Sequence, residues 1–354
     1  MFVKDLQAIS AQKTHDLTFE KGDYAIYSAA TLPIVEPAYA EFIPLNLLRR
    51  MGKAVKMGIA AALPIINRSK PVDGIIVGTA NGGLENCIDF LNQIVAYDEG
   101  ILTPTNFVQS TPNALAGQLA LMTKNTGYNS THVNGSLSFE NALLDAKLFF
   151  EATANEANLL VGSVEEISTY NYNIDLLAGR YKKEMIANNL LLQSNTEGSV
   201  CGEGASFFLL SNNPENALAE IVDTTQIIEP NEAELKELIH LFLKKNQLQI
   251  DAIDLLILGK NGDNRLDGWY DVFKQFFPAS PAINYKHLTG DYRTISGFAT
   301  YLAVQILSEK VNGTHPAFKN EIPTDCKNIL IYNHFDGIRH GFILIKKGTT
   351  NVPL

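Results

Sequence analysis

The stretch DGIIVGTANGGLENCIDFLNQIV (73–95) predicts a buried strand, a glycine-containing turn and an amphipathic helix, in that order. The stretch IDLLILGKNGDNRLDGWYDVFKQFF (253–277) repeats this pattern. Each is followed by a turn of small residues before a helix rich in Ala and Leu: STHVNGSLSFENALLDAKLFF (130–150) and LTGDYRTISGFATYLAVQILSEK (288–310). The repeat predicts an α/β protein of two related halves, with a site where their turns converge at the strand ends.

Further periodic segments complete the α/β pattern. We expect buried strands at 157–167, 204–211 and 217–228, with the last two adjacent to each other. Residues 232–248 predict an amphipathic helix, and residues 326–335 and 341–348 predict a closing hairpin. No Ser/Gly/Pro-rich linker interrupts the chain, so we expect one compact unit.

Composition excludes several classes of protein. The 354 residues carry a formal net charge of −10, which argues against nucleic-acid binding. Cys87, Cys201 and Cys326 lie far apart with no CxxC pair, so we predict no zinc site and no disulfide framework. We also expect no other metal and no cofactor. The first ten residues lack a signal-peptide core, and no apolar run reaches the roughly 18–20 residues that span a bilayer. We therefore expect a cytoplasmic protein.

Five segments resemble, in the same order, motifs of the β-ketoacyl-acyl-carrier-protein synthases of the thiolase superfamily. VGTANGGLENCIDF (77–90) resembles GSGIGGL, and residues 103–131 resemble the family's Phe-x-x-Ser and Asn-x-x-Ala-Gly run. VCGEGASFFLLS (200–211) resembles the GEGAG strand that begins the second half. YKHLTGDYRTISGFATYLAVQIL (285–307) resembles KSxTGHxxGAAG, and YNHFDGIRHGFILIKK (332–347) resembles NSFGFGGxN.

This resemblance implies a fold and an assembly. The expected fold is thiolase-like, with two α/β halves, residues 1–200 and 201–354, packed into five αβαβα layers. Members are generally dimers paired through a first-half strand near the nucleophile turn. The implied partners are an acyl carrier protein or acyl-chain ligand, and either an active β-ketoacyl synthase or a second copy of the chain.

The departures from the family pattern fall on the catalytic positions. Ser136 stands where the family has its nucleophilic Cys, and Asp291 stands at the second active-site His, while Lys286 is retained. Gly259 or Lys260 falls at the first His, that of the motif NAHGTxT, depending on one gap. The resemblance also places four residues along the acyl tunnel: Phe107, Asn134, Phe335 and Gly337.

Decarboxylative condensation needs a thiolate and donors that stabilise an enolate. A serine hydroxyl needs a general base, and an ionised aspartate repels an enolate. The resemblance therefore implies a non-condensing partner of an active synthase, like the chain-length factors of type II polyketide systems. By analogy it also suggests an aryl-polyene or flexirubin-type pathway. One alternative is an acyltransferase or hydrolase that uses Ser136, with Asp291, His132 or His287 as base. Another is a protein that binds an acyl or CoA-like ligand without chemistry.

Purely structural roles remain open for the same residues. Ser136 fits a helix N-cap, with Glu140 as the partner in a capping box. Asp291 could form an ion pair with Arg293 or Lys260. His334, Asp336, Arg339 and His340 cluster in the hairpin, where packing is a more common role for histidine than metal binding.

Overall fold

The computed structural model describes residues 1–69, 71–102, 104–318 and 321–348. The strands, in chain order, are β1 (Phe2–Ile9), β2 (Ser28–Ala29), β3 (Thr31–Leu32), β4 (Gly74–Gly78), β5 (Tyr128–His132), β6 (Asn158–Glu165), β7 (Ile186–Ala187), β8 (Cys201–Gly202), β9 (Gly204–Ser211), β10 (Ala219–Ile228), β11 (Leu255–Leu258), β12 (Ala282–Asn284), β13 (Asn328–Phe335) and β14 (Arg339–Lys347).

The α-helices are α1 (Leu45–Leu48), α2 (Lys53–Arg68), α3 (Leu84–Ala96), α4 (Pro104–Gln109), α5 (Ala114–Thr123), α6 (Ser138–Ala152), α7 (Thr169–Leu177), α8 (Glu232–Lys245), α9 (Asp267–Phe276), α10 (Lys286–Thr289) and α11 (Ser296–Leu307). Short 3₁₀ helices occur at Tyr39–Glu41, Gly135–Leu137, Asn188–Gln193 and Ile250–Ala252. None of the helices in the described ranges is long and apolar enough to cross a membrane.

Ten strands form one sheet that consists of two matching sets. The strand order is β12-β11-β13-β14-β10-β1-β9-β6-β4-β5. In the first set, β4 pairs in parallel with β5 and β6, and β9 pairs antiparallel with β6 and β1. In the second, β11 pairs in parallel with β12 and β13, and β14 pairs antiparallel with β13 and β10. The shared pattern confirms the two related halves that the sequence repeat predicts.

The outer faces and the middle of the molecule hold separate apolar clusters, which define five layers. Helices α6 and α11 lie between the two strand sets, and every residue of α11 is buried. Helices α2 and α5 cover the outer face of the first set. Helices α8 and α9 cover the outer face of the second. This arrangement is the expected αβαβα layering.

Strand pairing differs from the sequence-based expectation around residue 200. The strand β9, which we expected to begin the second half and to lie beside β10, pairs instead with β6 and β1. β1 lies between β9 and β10 and joins the two sets through Phe2 and Val3, which pair with Glu220 and Ala219. The adjacency of β9 and β10 was therefore a wrong prediction. On this pairing we propose that the halves divide at 212–218 rather than after residue 200.

Candidate functional site

The turn between β5 and α6 carries Ser136. Gly135 has a φ of +58°, a backbone conformation that glycine adopts without steric cost. The hydroxyl of Ser138 accepts a hydrogen bond from the Asn134 N–H at 2.8 Å and donates one to the Gly135 carbonyl at 2.8 Å. Ser138, rather than Ser136, therefore fixes this turn. The expected capping box is absent, because the first residue of α6 is Ser138 and Glu140 is buried in the core.

Ser136 is buried, and its hydroxyl has no hydrogen-bond partner among the described residues. The Nε2 atom of His132 lies 2.7 Å from a carboxylate oxygen of Asp145, which also accepts a hydrogen bond from the Tyr128 hydroxyl. His287 is buried, and burial lowers its pKa to about 4. Neither histidine that sequence analysis considered as a base is bonded to Ser136.

The second half contributes a buried polar network. The Lys286 ammonium lies 2.9 Å from one carboxylate oxygen of Asp291, and Asn261 donates a hydrogen bond to the other at 2.7 Å. All three side chains are buried. The Asp291 backbone is held by β8 and the residue before it, since its N–H donates to the Val200 carbonyl and its carbonyl accepts from the Gly202 N–H. The network therefore has a fixed position in the fold.

Two expected positions at the first active-site His do not enter this network. The Lys260 ammonium lies 2.9 Å from Asp271 on α9 and is partly exposed. Gly259 packs closely enough that a Cβ there would lie 2.2 Å from Oδ1 of Asn333. The alternative ion pairs of Asp291 were also wrong predictions, because Lys260 pairs with Asp271 and Arg293 pairs with Asp175 at 3.1 Å.

Asn261 is the site residue that sequence analysis missed. The signal was the dipeptide Asn261-Gly262, which matches the His-Gly of NAHGTxT when the glycines are aligned. With this alignment Asn261 stands at the first His position and Asp291 at the second, and the two side chains are hydrogen-bonded. The Lys286 ammonium and the Asn261 amide are thus both directed at the Asp291 carboxylate.

The loop between β13 and β14 covers the Ser136 turn. Arg339 donates hydrogen bonds to the carbonyl and side-chain oxygens of Asn134 at 3.0 and 3.1 Å. Asp336 accepts from Arg180 at 2.8 Å, and the Phe335 ring lies 5.6 Å from the Arg180 guanidinium. The loop, which belongs to the second half, is thus fastened to two segments of the first half. We call residues 335–339 the hairpin loop.

Gly337 and the two histidines of the hairpin have packing roles. Gly337 has a φ of +65°, and a Cβ there would lie 2.6 Å from Nε1 of Trp269. His340 contacts the Tyr332 hydroxyl through Nδ1 and the Gly337 carbonyl through Nε2, each at 2.9 Å. Burial lowers the pKa values of His334 and His340. Within the described ranges, no three His, Cys, Asp or Glu side chains are grouped so that they could hold a metal ion.

Phe107 lies apart from these residues. It is on α4, its side chain is 57% exposed, and its ring packs against Phe90 of α3. Asn134, Phe335 and Gly337, by contrast, lie in or beside the hairpin loop. The structure therefore places Asn134 in the Ser136 turn, Phe335 and Gly337 in the hairpin loop that contacts this turn through Arg339, and Phe107 apart from both.

Comparison with solved structures identifies the same fold at low sequence identity. A β-ketoacyl synthase from Burkholderia phymatum STM815 superimposes with a TM-score of 0.78 at 15% identity, covering 98% of each chain. The ishigamide ketosynthase/chain length factor gives 0.75 at 16% identity, covering 98% of this chain and 99% of that one. The ketosynthase ApeO in complex with its chain length factor ApeC, from Xenorhabdus doucetiae, gives 0.74 at 14% identity, covering 98% of each chain.

Comparison of sequences identifies the family. No curated protein gives a significant sequence match. Residues 28–252, more than half of the chain, match the family model described as the β-ketoacyl synthase N-terminal domain. Together with the two-half αβαβα architecture, this match means that the chain belongs to the β-ketoacyl synthase family.

Proposed function

We propose that this chain is a non-condensing β-ketoacyl synthase homologue that works as the partner of an active synthase. The proposed setting is fatty acid or polyketide biosynthesis on acyl carrier protein in the cytoplasm, and an aryl-polyene or flexirubin-type pathway is its narrower form. The observation that supports the proposal is the set of contacts made by the residues at the positions where the resemblance places the catalytic residues. The Ser136 hydroxyl has no hydrogen-bond partner among the described residues, and Asp291 is held by Lys286 and Asn261.

The chemistry follows from this arrangement. An unassisted serine hydroxyl is a weak nucleophile, because its pKa lies far above that of a thiol. The Asp291 carboxylate bears a negative charge where the family places a donor for the enolate. Loss of a single donor of this kind typically costs about 10²–10³ in rate. The chain therefore keeps the fold of a synthase, while the residues at its catalytic positions do not support condensation.

The outer surface of the first half supports a partner role. Strand β5 is the last strand of the sheet, so one of its edges pairs with no other described strand. Helix α3 is rich in apolar residues, yet none of its residues is buried. Val95 is 83% exposed and Ile101 is 95% exposed, and a concentration of exposed apolar residues on one element is typical of protein interfaces. We call the outer edge of β5, together with α3, α4 and the outward sides of α5 and α6, the β5 face.

Two of the superimposed structures are described as pairing a ketosynthase with a chain length factor. An equivalent role for this chain would place the β5 face against an active synthase. Phe107, which points outward on this face, would then line the junction between the two chains rather than the chain's own site.

The first test measures acyl transfer. The purified chain is incubated with an acyl-loaded acyl carrier protein and its intact mass is measured. We expect no acyl adduct on the wild type and no condensation product from Ser136→Cys, because Asn261 and Asp291 still replace the histidines. A stable acyl group on Ser136 that is lost in Ser136→Ala would instead favour the acyltransferase or hydrolase alternative.

The second test measures assembly. The chain is co-expressed with a β-ketoacyl synthase from its own genome that keeps the Cys-His-His set, and the tag is on one chain only. We expect a one-to-one complex whose synthase subunit is acylated by the carrier protein. A chain that remains alone, while it binds an acyl or CoA-like ligand, would replace the partner role with the ligand-binding alternative.

A further inference from the structure

The hairpin loop is a tight turn that its own backbone stabilises. Asp336 and Gly337 have φ values of +55° and +65°, and the Ile338 N–H donates a hydrogen bond to the Phe335 carbonyl at 3.0 Å. Positive φ at both central residues is the pattern of a type I′ turn, for which Asp-Gly is a favoured pair. The Gly337 N–H also donates to Nδ1 of His334 at 3.2 Å. The sequence of the loop therefore favours one defined conformation.

Two arginine side chains connect this loop to the first half of the chain. Arg339 donates hydrogen bonds to the carbonyl and side-chain oxygens of Asn134, which lies two residues before Ser136, at 3.0 and 3.1 Å. At the tip of the loop, Arg180 donates to a carboxylate oxygen of Asp336 at 2.8 Å. The loop can therefore move away from the Ser136 turn only if both sets of contacts break.

A buried carboxylate fixes the arginine at the tip of the loop. Asp175 on α7 is buried, and it pairs with Arg180 at 2.6 Å and with Arg293 at 3.1 Å. The centroid of the Phe335 ring lies 5.6 Å from the Arg180 guanidinium and 5.2 Å from that of Arg293. Both distances are within the range of cation–π contacts. The first residue of the loop thus packs against two cations that Asp175 holds in place.

The loop packs directly on the Ser136 turn. Ser136 is 3% exposed, and its hydroxyl oxygen is inaccessible to solvent. A Cβ on the preceding residue, Gly135, would lie 3.3 Å from Nη1 of Arg339. The guanidinium thus covers the backbone next to Ser136. An acyl group can reach this position only after the structure opens locally, and the contacts of the loop oppose that opening.

We propose that Arg180 and Arg339 hold the hairpin loop closed over the Ser136 turn and thereby exclude carrier-bound acyl groups from this chain's own site. This inference rests on the proposed function for the nature of the excluded group. It adds a steric barrier to the replacement of the catalytic residues. Because the barrier does not depend on the residue at position 136, it remains when a thiol nucleophile is introduced there.

The first measurement uses Ser136→Cys in the full-length chain as a reporter of access. Alkylation by iodoacetamide is followed at each cysteine by peptide mass spectrometry. We expect the introduced thiol to react about tenfold more slowly than the partly exposed Cys87. Adding Arg180→Ala/Arg339→Ala should speed its reaction about tenfold. Cys326 is buried and should react equally slowly in both proteins, which shows that the fold is intact.

The matched control adds Arg68→Ala/Lys327→Ala to Ser136→Cys. These changes also remove two cations, but from exposed ion pairs with Asp5 and Asp325 that lie outside the loop. The introduced thiol should then react as slowly as in Ser136→Cys alone.

The second measurement replaces iodoacetamide with an acyl-loaded acyl carrier protein. Thioester exchange would transfer the acyl group to the introduced thiol and release the thiol of the carrier protein. We expect no acyl adduct on Ser136→Cys alone and a measurable adduct on the triple variant that also carries Arg180→Ala/Arg339→Ala. Intact mass measures both.

The outcomes separate this inference from the proposed function. Fast alkylation or acylation of Ser136→Cys with the loop contacts intact overturns the inference, and so does a triple variant that reacts no faster. A triple variant that is alkylated quickly but never acylated overturns the exclusion of acyl groups. If Cys326 also reacts faster in the triple variant, Arg339→Ala alone provides a milder form of the same test. The partner role is judged separately, by co-expression with the synthase, and its failure would leave these rates valid.

Discussion

The Lys286 ammonium and the Asp291 carboxylate form an ion pair of 2.9 Å in the interior of the second half. The lysine side chain is 1% exposed and the aspartate side chain 11% exposed. Asn261, from the turn after β11, satisfies the second oxygen of Asp291. The pair thus links α10 to the turn that precedes α11, where the motif resemblance places the second active-site His of the family.

Removing one partner should destabilise the protein more than removing both. A buried charge without its partner typically costs about 3–5 kcal/mol, whereas apolar replacement of the whole pair is often close to neutral. We expect Lys286→Met and Asp291→Leu to lower the free energy of unfolding by about that amount, and the double variant to recover most of it. Urea unfolding measures all three variants.

The matched control for these single and double variants is Lys327→Met, which breaks the exposed ion pair between Lys327 and Asp325. Exposed ion pairs contribute about 0–1 kcal/mol, so this variant should unfold almost like the wild type. Equal, small losses in all single variants would contradict a stabilising role for the buried pair.

Glu140 should make stability depend on pH. Burial raises the pKa of its carboxyl to about 7 in the folded chain, above the value of about 4.3 in unfolded peptides. Between these values the folded state holds the proton and the unfolded state releases it, so stability falls as pH rises. Above pH 7 the folded state contains a buried carboxylate. Glu140→Gln should therefore raise the free energy of unfolding at pH 8 by up to about 3 kcal/mol, and the gain should vanish below pH 4.5.

Thermal or urea unfolding at several pH values measures this difference between Glu140→Gln and the wild type. Glu151→Gln, at the exposed C-terminal end of the same helix, is the control and should show no such trend. A gain from Glu140→Gln that stays constant from pH 4 to 8 would indicate a packing effect rather than titration of Glu140.

The Ser136 turn is positioned by a close approach of two backbones. A Cβ on Gly78 of β4 would lie 2.5 Å from the carbonyl oxygen of Ser138, which begins α6. Gly78→Ala should therefore destabilise the fold by about 1–3 kcal/mol, because backbone atoms would have to move. On α9, a Cβ on Gly268 would meet no atom within 4 Å, so Gly268→Ala should stabilise by about 0.5–1 kcal/mol. Urea unfolding should give changes of opposite sign in the free energy of unfolding of the two variants. A Gly78→Ala variant as stable as the wild type would contradict this interpretation.

The limits of the sequence-based predictions have physical causes. The strands β4, β6 and β9 are buried on both faces, so continuous apolar runs identify them without knowledge of the fold. β1 was missed because its sequence, FVKDLQAI, interrupts the apolar pattern with Lys4, Asp5 and Gln7. Its place in the centre of the sheet is set by pairing with β9 and β10, which lie about two hundred residues away in the chain.

The candidate site shows the same limit. The resemblance of motifs places Ser136 and Asp291 at their positions because each lies in a recognisable turn. The residue that bonds to Asp291 depends on side-chain direction after β11, which no periodicity specifies. Lys260 points towards α9 and Asn261 points inwards, and only the tertiary contact distinguishes them.

The hairpin loop should become more mobile when its link to Arg180 is removed. Arg180 contacts Asp336 and the Phe335 ring and also pairs with Asp175 at 2.6 Å, so one side chain fastens the loop to the segment after α7. We expect Arg180→Ala to speed hydrogen exchange at the Gly337 and Ile338 amides by about tenfold. Arg68→Ala, which breaks the Arg68–Asp5 pair in the first half, is the control. Unchanged exchange in the loop would mean that Arg339 and the neighbouring aromatic residues hold it alone.

Phe107 should influence the products of the proposed pair rather than the stability of this chain. Its side chain is 57% exposed on the β5 face, so truncation removes little buried surface and should leave the thermal midpoint nearly unchanged. If the ring lines the acyl channel at the junction with the synthase, Phe107→Ala should enlarge that channel and shift the product distribution towards longer chains. Mass spectrometry of carrier-protein-bound products from the reconstituted pair measures the shift. Tyr97→Ala, another exposed aromatic truncation at the end of α3, is the control and should leave chain length unchanged. If Phe107→Ala and the wild type form intact complexes that give identical products, Phe107 does not line the channel.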